Sequence, residues 1–153
     1  MENVWDYPRP PALVPCERRV RIELGGTTIA DSTAALRVLE TSHPPTIYVP
    51  LADVVDGVLR PAAGRSFCEW KGSAHYYDVL VGEEIRERAA WGYAEPVARY
   101  ADLRDHACFY PSRMDACFLD EERVLSQEGD FYGGWITADQ QGPFKGGPGT
   151  LGW

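Results

Sequence analysis

The chain has 153 residues, 44% hydrophobic and 25% charged, which is one domain's worth of sequence with enough apolar content for a single core. Fifteen Lys and Arg stand against 23 Asp and Glu, a formal charge of −8. So acidic a chain lacks the basic face that phosphate-backbone binding needs, and it has no run of 18 apolar residues to span a bilayer, so neither nucleic acid nor membrane is expected as a partner.

In chain order, residues 1–17 carry four prolines and two aromatics and read as a Pro-rich extended arm. Their opening, "MENVWDYPRPPALVP", lacks the basic start and apolar stretch of a secretory signal, so a cytoplasmic location is expected. "RRVRIELGGTTIADS" reads as a hairpin: Val20, Ile22 and Leu24 alternate with polar residues, and Gly25-Gly26 suits a tight turn. Residues 34–40 fit a strand or a short helix. The stiff loop "SHPP" leads into a strand, "TIYVP". "ADVVDGVLRP" predicts a short helix capped by Asp53 and ended by Pro61. Residues 67–81 predict one long strand, turned by Gly82 into 83–90, whose Glu, Arg and Ala suit either a returning strand or a helix. "EPVARYADLRDH" predicts a second short helix, and "ACFYP" and "DACFLDEERVL" predict closing strands.

These segments make residues 18–125 a β-rich core domain. Residues 126–153 form a tail whose glycines and aromatics predict an ordered segment packed on the core. The expected fold is mainly β, α+β at most. It is one compact domain of antiparallel hairpins, small and barrel- or tent-like, with two short helices.

The densest run of reactive side chains is "SFCEWKGSAHYYDV", residues 66–79. On a single strand Glu69 and Lys71 share one face, and they read either as an acid/base pair or as a surface ion pair. Gly72 beside them leaves room for a ligand to approach. His43 sits in "SHPP", where Pro44 and Pro45 could fix an imidazole at a pocket rim; a solvated turn histidine is the alternative. Asp31 is a candidate polar contact or a turn residue. Trp70, Trp91, Tyr93 and Trp135, with Tyr76, are candidates to wall a pocket for a flat ligand, although core packing explains any one of them. Cys68 beside Phe67 and Trp70 reads as a buried thiol. The four cysteines form no CxxC, and HExxH is absent, so reduced thiols, no metal and no cofactor are expected.

The arrangement "GGTTIADS…LETSHPPTIYVP…CEWKGSAHYYDV…AAWGY…FYP" resembles the bacterial domain-of-unknown-function family 427, catalogued under a nucleotidyltransferase heading. The likeness runs from about Arg18 to Pro111, and "WDYPRPP", "FYGGWIT" and "GPFKGGPGT" resemble its longer form. It implies a small β-rich fold, and through the heading a nucleotidyl transfer. The residues supply neither a DxD nor a GxxxxGK[ST] for that chemistry. Three functions are therefore carried forward. The first is a small cofactor-independent enzyme acting on a small polar or aromatic metabolite through Glu69, Lys71 and His43. The second is a non-catalytic small-molecule binding module with an aromatic-walled pocket, and the third is nucleotidyl transfer.

Overall fold

The computed structural model describes residues 1–68, 71–128, 132–147, 149, 150 and 153, with the backbone alone for 65–68. Among them the strands are β1 (Glu2–Asn3), β2 (Ala12–Pro15), β3 (Val20–Leu24), β4 (Thr27–Ser32), β5 (Leu36–Leu39), β6 (Thr46–Pro50), β7 (Leu59–Cys68) and β8 (Gly72–Val81). They continue with β9 (Glu84–Gly92), β10 (His106–Phe109), β11 (Ala116–Leu119), β12 (Glu122–Arg123), β13 (Leu125–Ser126), β14 (Trp135–Ile136) and β15 (Gln140–Gln141). The helical segments are 3-10 turns at Val4–Asp6, Leu51–Asp53, Ala98–Leu103 and Pro111–Arg113. The fold is mainly β, as expected, with neither large sheet closed into a barrel. No helix among the described residues is long and apolar enough to cross a membrane.

A seven-stranded sheet runs β2-β5-β6-β10-β9-β8-β7, and a four-stranded sheet runs β12-β11-β3-β4. Their pairings are antiparallel. The Gly25-Gly26 turn closes β3 on β4 with φ of 58° and 76°, a left-handed conformation that glycine adopts without Cβ strain. Val20, Ile22 and Leu24 of β3 and Cys117 and Leu119 of β11 pack in one cluster with Ile47, Val49, Ala107, Phe109, Ala90 and Val79 of the large sheet. Each such aliphatic side chain contributes roughly 1.5–3 kcal/mol on burial.

Both ambiguous segments are strands: 34–40 contains β5 and 83–90 lies largely in β9. In β9 pairing on both sides overrides the helix propensity of Glu, Arg and Ala, because Ala89 and Ala90 are fully buried. Within the segment expected as an arm, Ala12–Pro15 pair with β5 at the edge of the large sheet.

Two expectations are corrected. The helix expected in "ADVVDGVLRP" is a single 3-10 turn, after which Gly57 turns at φ 82° and β7 begins at Leu59. Asp53 accepts the Ser32 hydroxyl at 2.6 Å instead of capping the turn. Pro61 is tolerated because β7 is an edge strand whose register shifts between Pro61 and Arg65. The long strand expected over 67–81 is the end of β7 and all of β8, folded against each other with Cys68 opposite Gly72. Lys71 is therefore a turn residue, and the pairing expected of it with Glu69 falls on a position outside the described residues.

The tail's glycines are places of close approach. A Cβ on Gly133 would lie 2.6 Å from the Trp91 indole, one on Gly134 2.4 Å from Pro44, and one on Gly146 2.0 Å from the Glu128 carbonyl oxygen. The main chain also binds across, Trp135 to Pro45 at 2.8 Å and Lys145 to Ser42 at 2.8 Å.

Candidate functional site

Strand register decides which side chains meet on the face of the large sheet turned away from the small one. Leu36 pairs with Tyr48, Tyr48 with Cys108, Cys108 with Trp91, and Trp91 with Tyr76, a row across five strands. Side chains alternate along each strand, so Tyr48 faces away from its neighbours Ile47 and Val49, which belong to the aliphatic core. Tyr93 and Tyr110 join the same cluster. The Trp91 and Tyr110 rings lie 4.6 Å apart, those of Tyr48 and Trp91 6.1 Å, and those of Tyr48 and Tyr93 6.3 Å. Such pairs contribute about 0.5–1.5 kcal/mol each beyond the area they bury. Trp91 Nε1 donates to Tyr48 Oη at 3.3 Å. The Arg88 guanidinium lies 4.2 Å above the Tyr76 ring. Burial pushes the Tyr48 phenol and the Cys108 thiol well above their usual ranges, so neither ionises at neutral pH.

Beside this face the tail meets the "SHPP" loop. Gln127 is the bridge: its Nε2 donates to the Lys145 carbonyl at 2.6 Å, and its Oε1 accepts from the Gly134 N–H at 3.1 Å. Those two bonds orient the amide, so Nε2 also points its N–H at His43 Nδ1, 3.5 Å away. The ring proton is thereby assigned to Nε2, which faces the Glu40 carboxylate at 3.9 Å. Desolvation, then the positive charges of Lys145, Arg9 and Lys71, lower the His43 pKa to about 4, so the ring is neutral at pH 7. The Tyr132 ring packs 4.9 Å from the imidazole and 5.3 Å from the Lys145 ammonium.

Lys71 connects the two groups. It is 8% exposed, and its positive charge is a minor influence on both the His43 imidazole and the Cys108 thiol. Among the described residues no carboxylate lies within ion-pair distance of it.

Of the residues singled out in the sequence, Tyr76, Trp91 and Tyr93 lie on this face, and Lys71 and His43 lie within electrostatic reach of each other beside it. Glu69 and Trp70 lie outside the described residues. Asp31 stands apart on β4, held by Arg19 at 2.8 and 2.5 Å. Trp135 belongs to the aliphatic core and donates Nε1–H to the Phe109 carbonyl at 3.1 Å. Sequence reasoning missed Tyr48, Tyr110, Gln127, Tyr132 and Lys145. The first two were available from period-two alternation in "TIYVP" and "ACFYP"; the others depend on where the tail docks.

A cleft of about 540 Å³ lies elsewhere, lined by Trp135, Ile47, Cys16, Arg18 and Arg37 among others. Its cations are already answered: Arg37 by Glu2 at 2.6 Å, and Arg18 by Asp120, Glu122 and Asp139 at 3.0, 3.2 and 2.7 Å. Among the described residues no three His, Cys, Asp or Glu side chains converge as a metal site.

No curated protein matches the chain. The family described as a domain of unknown function, DUF427, matches residues 12–120. That span contains His43, Lys71 and the whole aromatic row, while Gln127, Tyr132 and Lys145 lie beyond it. With well over half of its length inside the match, and with the sheet that carries the candidate site included, the chain belongs to the DUF427 family.

Proposed function

We propose that the protein is a binding module for a flat, aromatic small molecule, taken up on the aromatic face of the seven-stranded sheet. The observation that carries this reading is the row Tyr48, Cys108, Trp91, Tyr76, with Tyr93 and Tyr110 alongside: rings and phenols gathered in a cluster of their own, separate from the aliphatic core and buried beneath the tail at Gly133. The titratable groups favour recognition over proton transfer. His43 is neutral at pH 7 and its Nδ1 already receives the Gln127 amide, while Tyr48 and Cys108 are held in their protonated forms. A soluble, cytoplasmic setting with reduced thiols fits the free Cys16, Cys108 and Cys117.

Saturation-transfer NMR with 2-naphthamide, read together with amide shifts of the protein, tests the proposal. Binding should perturb Trp91, Tyr93 and Tyr110. Absence of binding at millimolar concentration, or perturbations confined to the Arg18 and Arg37 cleft, overturns it.

A second reading, a cofactor-independent enzyme using Glu69, Lys71 and His43, is favoured by one observation, the electrostatic reach between Lys71 and His43. It requires turnover of a bound metabolite that Glu69→Gln abolishes while binding survives. Nucleotidyl transfer finds no supporting arrangement among the described residues.

A further inference from the structure

We propose that the cleft where the two sheets and the tail meet is a separate binding site, for a small zwitterion of the apolar α-amino acid class, whose carboxylate Arg37 receives and whose ammonium Glu2 receives. It does not rest on the aromatic-face reading. The first argument is the cavity. Arg37 of β5 is paired with Val14 on one side and Ile47 on the other, so the three side chains share one face of the large sheet. Ile47 gives that face to the aliphatic core, but at this edge the apolar filling stops, and a cleft of about 540 Å³ opens toward Leu119, Trp135 and Asp139. The size suits a small molecule, since ligand pockets span roughly 300–1,000 Å³. Ile47, Leu119 and Trp135 give it a buried apolar floor fit for a hydrocarbon side chain.

The second argument is what the charged groups of the cleft leave open. Arg18 gives all three guanidinium nitrogens to Asp120, Asp139, Glu122 and the Leu119 carbonyl. Arg37 gives only Nη2, to Glu2 Oε1 at 2.6 Å, and among the described residues its Nε and Nη1 make no hydrogen bond. The same Oε1 accepts from the Tyr7 hydroxyl at 2.6 Å, which leaves Glu2 Oε2 without a hydrogen bond among these residues. Both side chains line the cleft, and at 21% and 45% exposure neither is sealed from a solute.

The third is the match of charge. Arg37 and Glu2 already neutralise each other, so a bare anion or a bare cation would bring uncompensated charge to the pair, whereas a zwitterion brings none. An α-amino acid holds its carboxylate and its ammonium on one carbon. The ion pair offers a guanidinium edge and a carboxylate oxygen side by side, which is the complement of that head group. Glu17 and Asp139 line the same cleft and add negative charge for the ammonium.

The test is a matched set titrated by calorimetry and protein-observed NMR. It comprises L-leucine, 4-methylpentanoate (the same skeleton without the ammonium), 3-methylbutylamine (without the carboxylate) and glycine (without the side chain). Wild-type protein should bind L-leucine at least about tenfold more tightly than each of the others, with shifts in the Ile47 and Leu119 methyl signals. In Arg37→Met, with its fold verified by dichroism, L-leucine and 3-methylbutylamine should converge to within about threefold, and in Glu2→Gln so should L-leucine and 4-methylpentanoate. Should Arg37→Met fail to fold, the Arg37 Nε–Hε signal of the wild-type protein reads the same contact. It should shift with L-leucine and 4-methylpentanoate but not with 3-methylbutylamine. Equal binding of L-leucine and either truncated compound, or an advantage over both that survives the two variants, overturns the head-group assignment. Equal binding of glycine overturns the apolar class. Absence of binding at millimolar concentration, or shifts confined to Trp91, Tyr93 and Tyr110, overturns the cleft as a site.

Discussion

The two faces of the seven-stranded sheet are made from alternate residues of the same strands and have opposite chemistry. On one face Ile47, Val49, Ala107, Phe109, Ala90 and Val79 close against the four-stranded sheet. On the other, Tyr48, Cys108, Tyr110, Trp91 and Tyr76 present rings and polar tips, with Lys71 and the His43 loop nearby. Aliphatic groups need only neighbours of matching shape, so a second sheet satisfies them completely. Phenols and an indole need hydrogen-bond partners as well, and they are buried in a cluster of their own that supplies some, such as Trp91 Nε1–H to Tyr48 Oη. One face is closed by aliphatic shape alone and the other by rings and polar tips under the tail, and four changes would break or sharpen that division.

The largest effect is expected on the aliphatic side. Phe109→Ala removes a fully buried ring and should destabilise the protein by about 3–5 kcal/mol in urea unfolding. A loss below about 1 kcal/mol would mean that this face is not the structural one.

Next in size is the pH response of His43. Its pKa falls from 6.5 to about 4 on folding, so the unfolded chain takes up the proton first as the pH drops. Stability should be complete above pH 6.5 and should decline as the pH falls toward 4, by up to about 3 kcal/mol. Comparing urea midpoints of wild type and His43→Gln across that window isolates the contribution from the carboxylates that protonate alongside it. Parallel curves would show that the imidazole is not buried as described.

Gly133→Ala tests how tightly the tail closes over the aromatic face. The glycine has φ 67°, and a Cβ would meet Trp91 at 2.6 Å and Tyr110 at 3.1 Å. A loss of about 1–3 kcal/mol is expected, together with a change in Trp91 side-chain NMR signals. An unchanged indole signal would detach the tail from the site.

The smallest effect, and of opposite sign, is expected for Lys71→Met. Replacing an ammonium that has no counter-charge among the described residues should leave stability unchanged or raise it by about 1 kcal/mol. A loss of about 3–5 kcal/mol would instead identify Lys71 as half of a structural ion pair.

Much of the fold was legible because it is local. Alternation in "VRIEL" and the Gly25-Gly26 turn specify a hairpin whatever surrounds them. The mainly β class follows from repeating that pattern along the chain. The "ADVVDGVLRP" helix failed because Asp53 found a partner, Ser32, that is 21 residues away and invisible to a capping rule. The single strand expected over 67–81 failed because a run that alternates like one strand turns back on itself between Cys68 and Gly72.

The candidate site divides along the same line. The abundance of aromatics by itself singled out Trp91 and Tyr93, and alternation along one strand set Tyr76 on the face opposite His75 and Tyr77. Only the tertiary structure decided that strand order β6-β10-β9-β8 would align Tyr48, Cys108, Trp91 and Tyr76 into one row. It also decided that Trp135 would turn to the aliphatic core and that Gln127 and Lys145 would come to His43 from 84 and 102 positions further along the chain. Alternation along a strand is set by backbone geometry within a few residues, whereas which strands become neighbours is set by the burial of all of them at once.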